Sequence, residues 1–515
     1  MNSLPKKIIF IASVVSIGGF LFGFDASVIS GVIKFIKPEF NLTDLQLGWV
    51  VSSPSFSAMF AMLVSGRLSD YLGRKKVLLI VAVLYSLSAL LSALASSYEI
   101  LVLARMVGGA AFGAALILAP VYIAEVSPAE SRGKLVTIQN LNIVIGFSAA
   151  YFCNYFFLQQ IEASNFINEE TAWRWMLGIE LVPAVIYFFL LLLVPKSPRW
   201  LLLKNEETQA RDILRRIYGD MRAFEEVVLI KESLKDNKEA KRVNLKSLFN
   251  PGLAFVLTLG FVIGILQQIT GVNVVYFYAT TIFEQSGIGS NAAFAQAIWV
   301  GIINIVFTVI AMYLIDRLGR RPLMLIGVAG VAVSMCISAY GFGKATFELD
   351  QDRISMLAPE IELYKLSNII DNKYDNDVDF KNDLKLALGE QMYAKHEGDI
   401  LKAAIHMNPI LVLIGILGFV ASFAISLGPV MWVLLAELFP NWIRGLAISV
   451  VAFVNSLVSW FVQFIFPYEL AKIGSALTFF IFGILAVIGF LILLKIMPET
   501  KGKSLEEIEN EFVKS

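Results

Sequence analysis

Apolar residues run along this chain in long unbroken blocks, with none of the two- or four-residue periodicity of a water-facing fold. Read with a window of about 20 residues, the length of helix that crosses roughly 30 Å of hydrocarbon, twelve blocks stand out. They lie near 8–33, 47–66, 77–96, 99–123, 134–158, 173–194, 252–284, 292–315, 323–343, 409–436, 445–468 and 474–497. The pattern predicts an all-α polytopic membrane protein with 12 transmembrane helices. Two long polar stretches interrupt it, 199–246 and 344–408. Composition agrees: 57% of the 515 residues are hydrophobic and 16% charged, against about a quarter charged in soluble domains.

The net charge of zero says little, but its distribution says more. Lys and Arg crowd alternate connections: Lys6 and Lys7; Arg67, Arg74, Lys75 and Lys76; Arg132 and Lys134; the basic stretch 199–246; Arg317, Arg320 and Arg321; Arg444; Lys501 and Lys503. The positive-inside bias therefore puts both termini in the cytoplasm and 344–408 outside. No small-residue cleavage site follows a short apolar core, so the first helix is expected to be retained. Cys153 and Cys336 stand alone in the fifth and ninth blocks and read as buried free thiols. His396 and His406 have no further candidate ligands nearby, so no metal site is expected.

The chain repeats itself. "GRLSDYLGRKK" (66–76) and "IDRLGRRPL" (315–323) occupy equivalent connections, as do "AEVSPAESRGK" (124–134) and "AELFPNWIRGL" (436–446). Gly73 pairs with Gly319 at an offset of 246 and Glu125 with Glu437 at 312. The 66-residue difference is about the length of the polar stretch 344–408. The expected domains are a six-helix half at 1–198, an amphipathic cytoplasmic linker at 199–246, a second six-helix half at 247–497 carrying the outer insertion 344–408, and a tail at 498–515. Repeated halves are a common plan of secondary transporters, with the substrate site near the midplane. Glu125 and Arg132, and Glu437 and Arg444, flank a proline at the same spacing in each half. With Arg67, Asp70, Arg74, Arg199 and Arg317 they form a candidate cytoplasmic gate that pairs when that side closes.

Three ionisable residues fall inside membrane blocks: Asp25, Arg105 and Glu180. Each costs about 2.5–3.5 kcal/mol at a helix centre on insertion scales and so points to a partner or a proton path. If Arg105 approaches Asp25 in one conformation only, Asp25 takes up a proton in one state and releases it in the other. In the seventh block, "LQQITGVN" sets Gln267, Gln268 and Asn273 in an apolar span. Amides both donate and accept, which suits sugar hydroxyls. Gln268 and Asn273 are about 140° apart on a regular helix, so local unwinding at Gly271 is needed to bring them together. Gly428-Pro429 is expected to kink or break the tenth helix as a moving gate.

The chain resembles the sugar porters of the major facilitator superfamily across nearly its whole length outside 344–408. The strings that carry the likeness are "GGFLFGFD", "GRLSDYLGRKK", "ARMVGGAAFGAA", "VYIAEVSPAESRGK", "WRWML", "PKSPRWLL", "GILQQITGVNVVYFYA", "DRLGRRPL", "GPVMWVLLAELFPNWIRG" and "PETKGKSLEEIE", in family order. The pattern is most similar to bacterial and plant proton–sugar symporters and more distant from animal glucose facilitators. The resemblance implies two pseudo-symmetric six-helix halves and substrate binding by Gln267, Gln268, Asn273, Asn304, Trp432 and Asn455, with Phe22 and Asn140 from the first half. It also implies proton coupling by Asp25, paired with Arg105 and relayed by Glu180, where facilitators carry Asn in place of the Asp.

Departures from the pattern bear on the substrate. Asn140 and Phe147 stand where glucose- and xylose-binding members have Gln, Ser456 follows the amide Asn455 where many relatives have an aromatic, and Lys196 replaces an acid in the "PESPR" string. The expected function is proton-coupled symport of a monosaccharide (hexose or pentose) or polyol by alternating access. The alternatives are a passive facilitator and a sugar sensor. No phosphate-cradling loop or nucleophile–base arrangement is present, so neither an enzyme, a cofactor nor a nucleic-acid partner is expected. The lipid bilayer, a bacterial inner membrane and a monomeric state complete the expectation.

Overall fold

The computed structural model describes residues 6–128, 131–163, 166–239, 245–350, 357, 361, 363–440, 442–503 and 505–512. The parts of the expected segments at 1–5, 240–244, 351–356, 358–360 and 513–515 lie outside the described residues. Among the described residues, twelve helices are long and apolar enough to cross a membrane. They are span 1 (Lys6–Glu39), span 2 (Asp44–Leu72), span 3 (Arg74–Ala93), span 4 (Tyr98–Val126), span 5 (Arg132–Ile161), span 6 (Ala172–Leu193), span 7 (Pro251–Phe277), span 8 (Ser290–Leu318), span 9 (Arg320–Gly343), span 10 (Pro409–Leu438), span 11 (Arg444–Lys472) and span 12 (Gly474–Ile496). Several run past the hydrophobic blocks that announce them, because a helix keeps its hydrogen bonds beyond the lipid until a cap ends it. Ser97 supplies such a cap to span 4, accepting from Ile100 N at 3.4 Å.

The irregular points have chemical causes. Span 6 breaks at Ile179–Glu180, four residues or fewer before Pro183, which has no N–H to return to the preceding turn. Span 10 breaks at Ser426 (φ −127°, ψ −91°) and resumes as Leu427–Leu438. The interruption expected at Gly428-Pro429 thus falls two residues earlier, beside Ile425, whose O would need the proton Pro429 lacks. Span 7 ends its first segment at Ile269, passes through Gly271 at φ +89°, and continues as Val272–Phe277 and Ala279–Glu284. A Cβ at Gly271 would also sit 3.0 Å from the Phe482 ring.

The chain forms two compact units. One comprises Met1–Asp25, Ser53–Gly146 and Gly178–Ser247; the other comprises Ala26–Ser52, Phe147–Leu177 and Leu248–Ser515. The first is built around Leu78, Tyr85, Ala115, Tyr122 and Tyr187. In the second, spans 9 and 10 approach through small residues. Cβ atoms on Gly327 and Gly415 would fall 1.7 Å from Ser426 Oγ and 2.2 Å from Ser338 Oγ, the close packing that membrane helices use in place of a hydrophobic drive. Within this unit the ends of spans 1, 2 and 5 are joined to span 7 and span 11. Ser30 Oγ accepts from Thr280 N at 3.0 Å, Tyr151 OH donates to Tyr276 O at 2.6 Å, and a Cβ on Gly48 would lie 2.0 Å from Phe464 O.

The polar stretches fold too. The linker forms helices Pro198–Leu203, Glu207–Tyr218 and Asp220–Glu239 around Trp200, Leu201, Leu214 and Val227. The insertion carries a three-stranded antiparallel sheet, β1 (Thr346–Glu348) between β2 (Lys373–Tyr374) and β3 (Ile405–His406). Helices Asp377–Leu388 and Glu390–Ala404 pack on it over Phe347, Phe380, Leu384 and Ile400. Both cysteines are free, Cys153 half-buried and Cys336 exposed. The expectation of buried thiols fails at Cys336, a small apolar group that a hydrocarbon-facing surface tolerates.

Candidate functional site

In the second unit the break at Gly271 swings Asn273 back over the turn that precedes it. Asn273 Nδ2 donates to Gln268 Oε1 at 2.9 Å and to Ser459 Oγ of span 11 at 2.6 Å. Gln268 Nε2 donates to Gln267 Oε1 and Asn455 Oδ1, both at 3.2 Å. Asn455 Nδ2 donates to Gln267 Oε1 and to Gly264 O, each at 2.8 Å, and Gln267 Nε2 donates to Leu427 O at 3.0 Å. Spans 7 and 11 thus knit four of the expected amides into one buried cluster. Among the described residues its donors are almost all engaged: Gln267 keeps one free N–H, and no donor reaches Asn273 Oδ1. A ligand rich in hydroxyls can supply what is missing.

The other expected substrate residues are placed as follows. Asn304 is buried in span 8, its Oδ1 accepting from Thr308 Oγ1 at 3.4 Å. Trp432 stands 45% exposed on the second segment of span 10. Phe22 and Asn140 belong to the first unit: Phe22 packs on Phe112 with ring centroids 4.7 Å apart, and Asn140 is exposed on span 5. Ser459 was missed from the sequence although it lies one turn from Asn455, and Gln463 one turn further donates to Ser459 Oγ at 2.7 Å. A polar stripe at every fourth position was the available signal.

In the first unit, Arg105 Nη1 donates to Asp25 Oδ1 at 2.5 Å and to Asp25 O at 3.2 Å. Both side chains are almost wholly buried. Close packing brings them together, since a Cβ on Gly108 would lie 2.5 Å from Ser88 Oγ and 3.8 Å from Asp25 Oδ1. The pair is incompletely satisfied: among the described residues, Asp25 Oδ2 and Arg105 Nε have no hydrogen-bond partner. Glu180, 3% exposed at the break in span 6, feels the charges of Asp25 and Arg105. Tyr85 OH, in the field of Glu180 and Asp25, donates to Gly18 O at 3.1 Å.

The candidate gate residues form a clamp inside each unit. Arg74 pairs with Asp70 at 2.8 Å and Glu125 at 3.0 Å, and its Nη1 donates to Ser69 O at 3.1 Å; Ser197 Oγ donates to Glu125 Oε2 at 2.5 Å. In the other unit Arg320 pairs with Asp316 at 3.6 Å and Glu437 at 2.8 Å, and donates to Ile315 O at 3.2 Å; Thr500 Oγ1 donates to Glu437 Oε2 at 2.6 Å. Arg320, not Arg317, is the counterpart of Arg74. Arg317 instead stacks on Tyr313 at 3.9 Å. Arg444 Nε donates to Phe439 O at 2.9 Å and Arg199 Nη2 to Ser233 Oγ at 3.1 Å, while Arg67 and Arg132 are exposed. Glu499 accepts from Arg320 N, Arg321 N and Lys501 N at 2.8–3.1 Å. Burial works against its charge, but these backbone donors prevail and hold its carboxyl below the usual range.

Twelve spans, a duplicated clamp, buried amides and a buried acid–base pair define a secondary transporter built from two related halves. The family model described as "Sugar (and other) transporter" matches residues 11–357 and 392–512, and the chain belongs to that family of transporters. It is 34% identical to the arabinose-proton symporter of Bacillus subtilis strain 168, over 98% of this chain and 95% of that one. It is 33% identical to the D-xylose-proton symporter of Escherichia coli K12, over 97% and 94%. Among solved structures, the inward-open conformation of the E. coli xylose transporter XylE matches with a TM-score of 0.74 at 30% identity, covering 98% of this chain and all of that one.

Proposed function

We propose that this protein carries a monosaccharide or polyol across a bacterial inner membrane together with a proton, by alternating access. The observation that carries the coupling is the buried Asp25–Arg105 pair, in which Asp25 Oδ2 has no partner among the described residues. An unpaired carboxylate oxygen out of water is a place for a proton, and the one-sided contact with Arg105 is a bond that protonation weakens. Asp25 takes the proton when Arg105 is displaced and gives it up when the pair re-forms. Glu180, which lies in their field, passes the proton on. The sugar docks on Gln267, Gln268, Asn273 and Asn455, whose open acceptor and donor positions face its hydroxyls, with Asn304, Trp432, Phe22 and Asn140 completing the contacts. The indole of Trp432 suits the apolar face of a sugar ring.

The halves at 1–198 and 247–497 are the bodies that rock, joined by 199–246, with both termini and the tail 498–515 in the cytoplasm and the protein monomeric in the bilayer. The Arg74–Glu125 and Arg320–Glu437 clamps hold each half's cytoplasmic loop in shape. Arg67, Asp70, Arg132, Arg199, Arg317 and Arg444 surround them as the gate that closes the cytoplasmic side. The names of the symporter relatives support proton coupling and a sugar substrate.

Proteoliposomes loaded with a pH-sensitive dye test the reading. Adding hexoses, pentoses and polyols in turn is expected to give proton influx with one or a few of them, and Asp25→Asn to abolish accumulation while sugar exchange between equal pools persists. Sugar flux without proton movement in the wild type would make the protein a passive facilitator.

A further inference from the structure

The function proposed above makes no use of the insertion, and the family model leaves residues 358–391 unmatched. We propose that the insertion is an outer gate, anchored on the second half and latched to the end of span 1 when the outer side is closed. This rests on the transport reading and on the orientation given there.

The anchoring is by close hydrogen bonds. Lys381 Nζ donates to Gln285 Oε1, just beyond span 7, at 2.5 Å, and pairs with Asp377 at 3.1 Å. Asp377 Oδ2 accepts from both N and Oγ of Ser475, each at 3.0 Å, at the N-terminus of span 12. Gly474 at φ +81° makes room for it, since a Cβ there would lie 2.3 Å from Asp377 Oδ1. Gln285 then donates from Nε2 to Glu397 Oε1 of the insertion at 2.9 Å. Lys381, Gln285 and Ser475 are buried and Asp377 and Glu397 half-buried, so undoing these bonds would strand a charge or an amide.

The link to span 1 is of another kind. Lys37, two residues before the end of that span, pairs with Asp44 at 3.3 Å and faces the carboxylates of Glu397 and Glu390 across a cleft. Lys37, Asp44, Tyr393 and Glu397 line that cleft from its two sides. No hydrogen bond joins Lys37 to the insertion among the described residues. A charge pair across a gap holds two bodies together yet yields over a small displacement, whereas the anchor bonds require each partner in place. The insertion therefore stays with spans 7 and 12, and Lys37 is the part that lets go as the outer side opens. Glu397 joins both roles, held by Gln285 and facing Lys37.

The test reads outer opening without a sugar, so its failure is separable from failure of the transport reading. In a background with Cys153→Ser and Cys336→Ser, Thr280→Cys reports opening, because Thr280 is buried against Ser30 of span 1. A membrane-impermeant maleimide is added to intact cells. Lys37→Gln and Glu397→Gln, which keep size and hydrogen-bonding reach, are each expected to raise the labelling rate roughly threefold or more. Lys37→Glu should raise it further and Lys37→Arg should leave it at the parent rate. Labelling in both Gln variants that matches the parent would overturn the proposal. So would a rise of equal size in Lys37→Arg, which would mark a packing defect and not a lost charge.

Discussion

Asn273 is held at both amide protons, by Gln268 and by Ser459, and this fixes which end of its side chain is left for a ligand. Ser459 Oγ also receives Gln463, so its loss strands two buried donors at once. Removing an acceptor of this kind costs about 1 kcal/mol. Ser459→Ala is accordingly expected to raise the KM for the transported sugar roughly fivefold and to leave proton coupling intact, as read by the sugar-to-proton ratio in proteoliposomes. Gln268→Ala removes the hub of the cluster and should abolish binding by isothermal titration while the protein still elutes as a folded species. Near-normal binding would take span 7 out of the site. The amides themselves were legible in the sequence because polar groups in an apolar block are conspicuous. Ser459 was not, because a serine is unremarkable in a membrane helix until its neighbours across the gap are known. Arg320 was legible and overlooked: it follows Gly319 as Arg74 follows Gly73, in the same repeat register.

At the scale of the element, the breaks do the positioning. Gly271 takes a left-handed conformation that other residues pay for at about 1–2 kcal/mol, and Phe482 crowds the space a side chain would need. Gly271→Ala should lower the melting temperature of the detergent-solubilised protein and weaken sugar binding together, since Asn273 depends on the same turn. A variant that melts lower but binds normally would separate the turn from the site. The need for unwinding at Gly271 followed from helix geometry alone. The break in span 10 was foreseen, and falls two residues before Gly428-Pro429 because proline marks the missing donor and the carbonyl that loses it lies four residues upstream of Pro429.

For the whole molecule, the insertion brings a pH dependence of its own. Burial works against the charge of Asp377, but Lys381 and the donors of Ser475 outweigh it and hold the carboxyl below its usual range. Burial likewise opposes Glu397, and Lys37 and Lys381 prevail over it. A carboxyl held low stabilises the fold at pH values above the ordinary carboxylate pKa of about 4, and that contribution is lost as the pH falls through the folded value. The wild type should therefore lose melting temperature more steeply than Asp377→Asn on acidification below about pH 4, and Asp377→Asn should melt lower than wild type near neutrality. Parallel curves from scanning fluorimetry would deny Asp377 this role.

What the sequence determined by itself was everything set by local composition and by repetition. Twelve apolar blocks, the charge pattern of their connections, the duplicated strings and the 66-residue offset between them follow from counting along the chain. They suffice for the class of fold because a bilayer demands helices of known length whose backbone groups are satisfied within each segment. Tertiary structure alone decided which polar groups meet. Asp25 and Arg105 are 80 residues apart, Gln268 and Asn455 187, and Lys381 and Gln285 96. Only packing, with glycines where backbones touch and breaks where prolines and Gly271 fall, brings them within 3.2 Å of one another. The insertion is the clearest case: its strands are two or three residues long and its polarity reads as surface, so its seat on spans 7 and 12 exists only once those helices have been assembled.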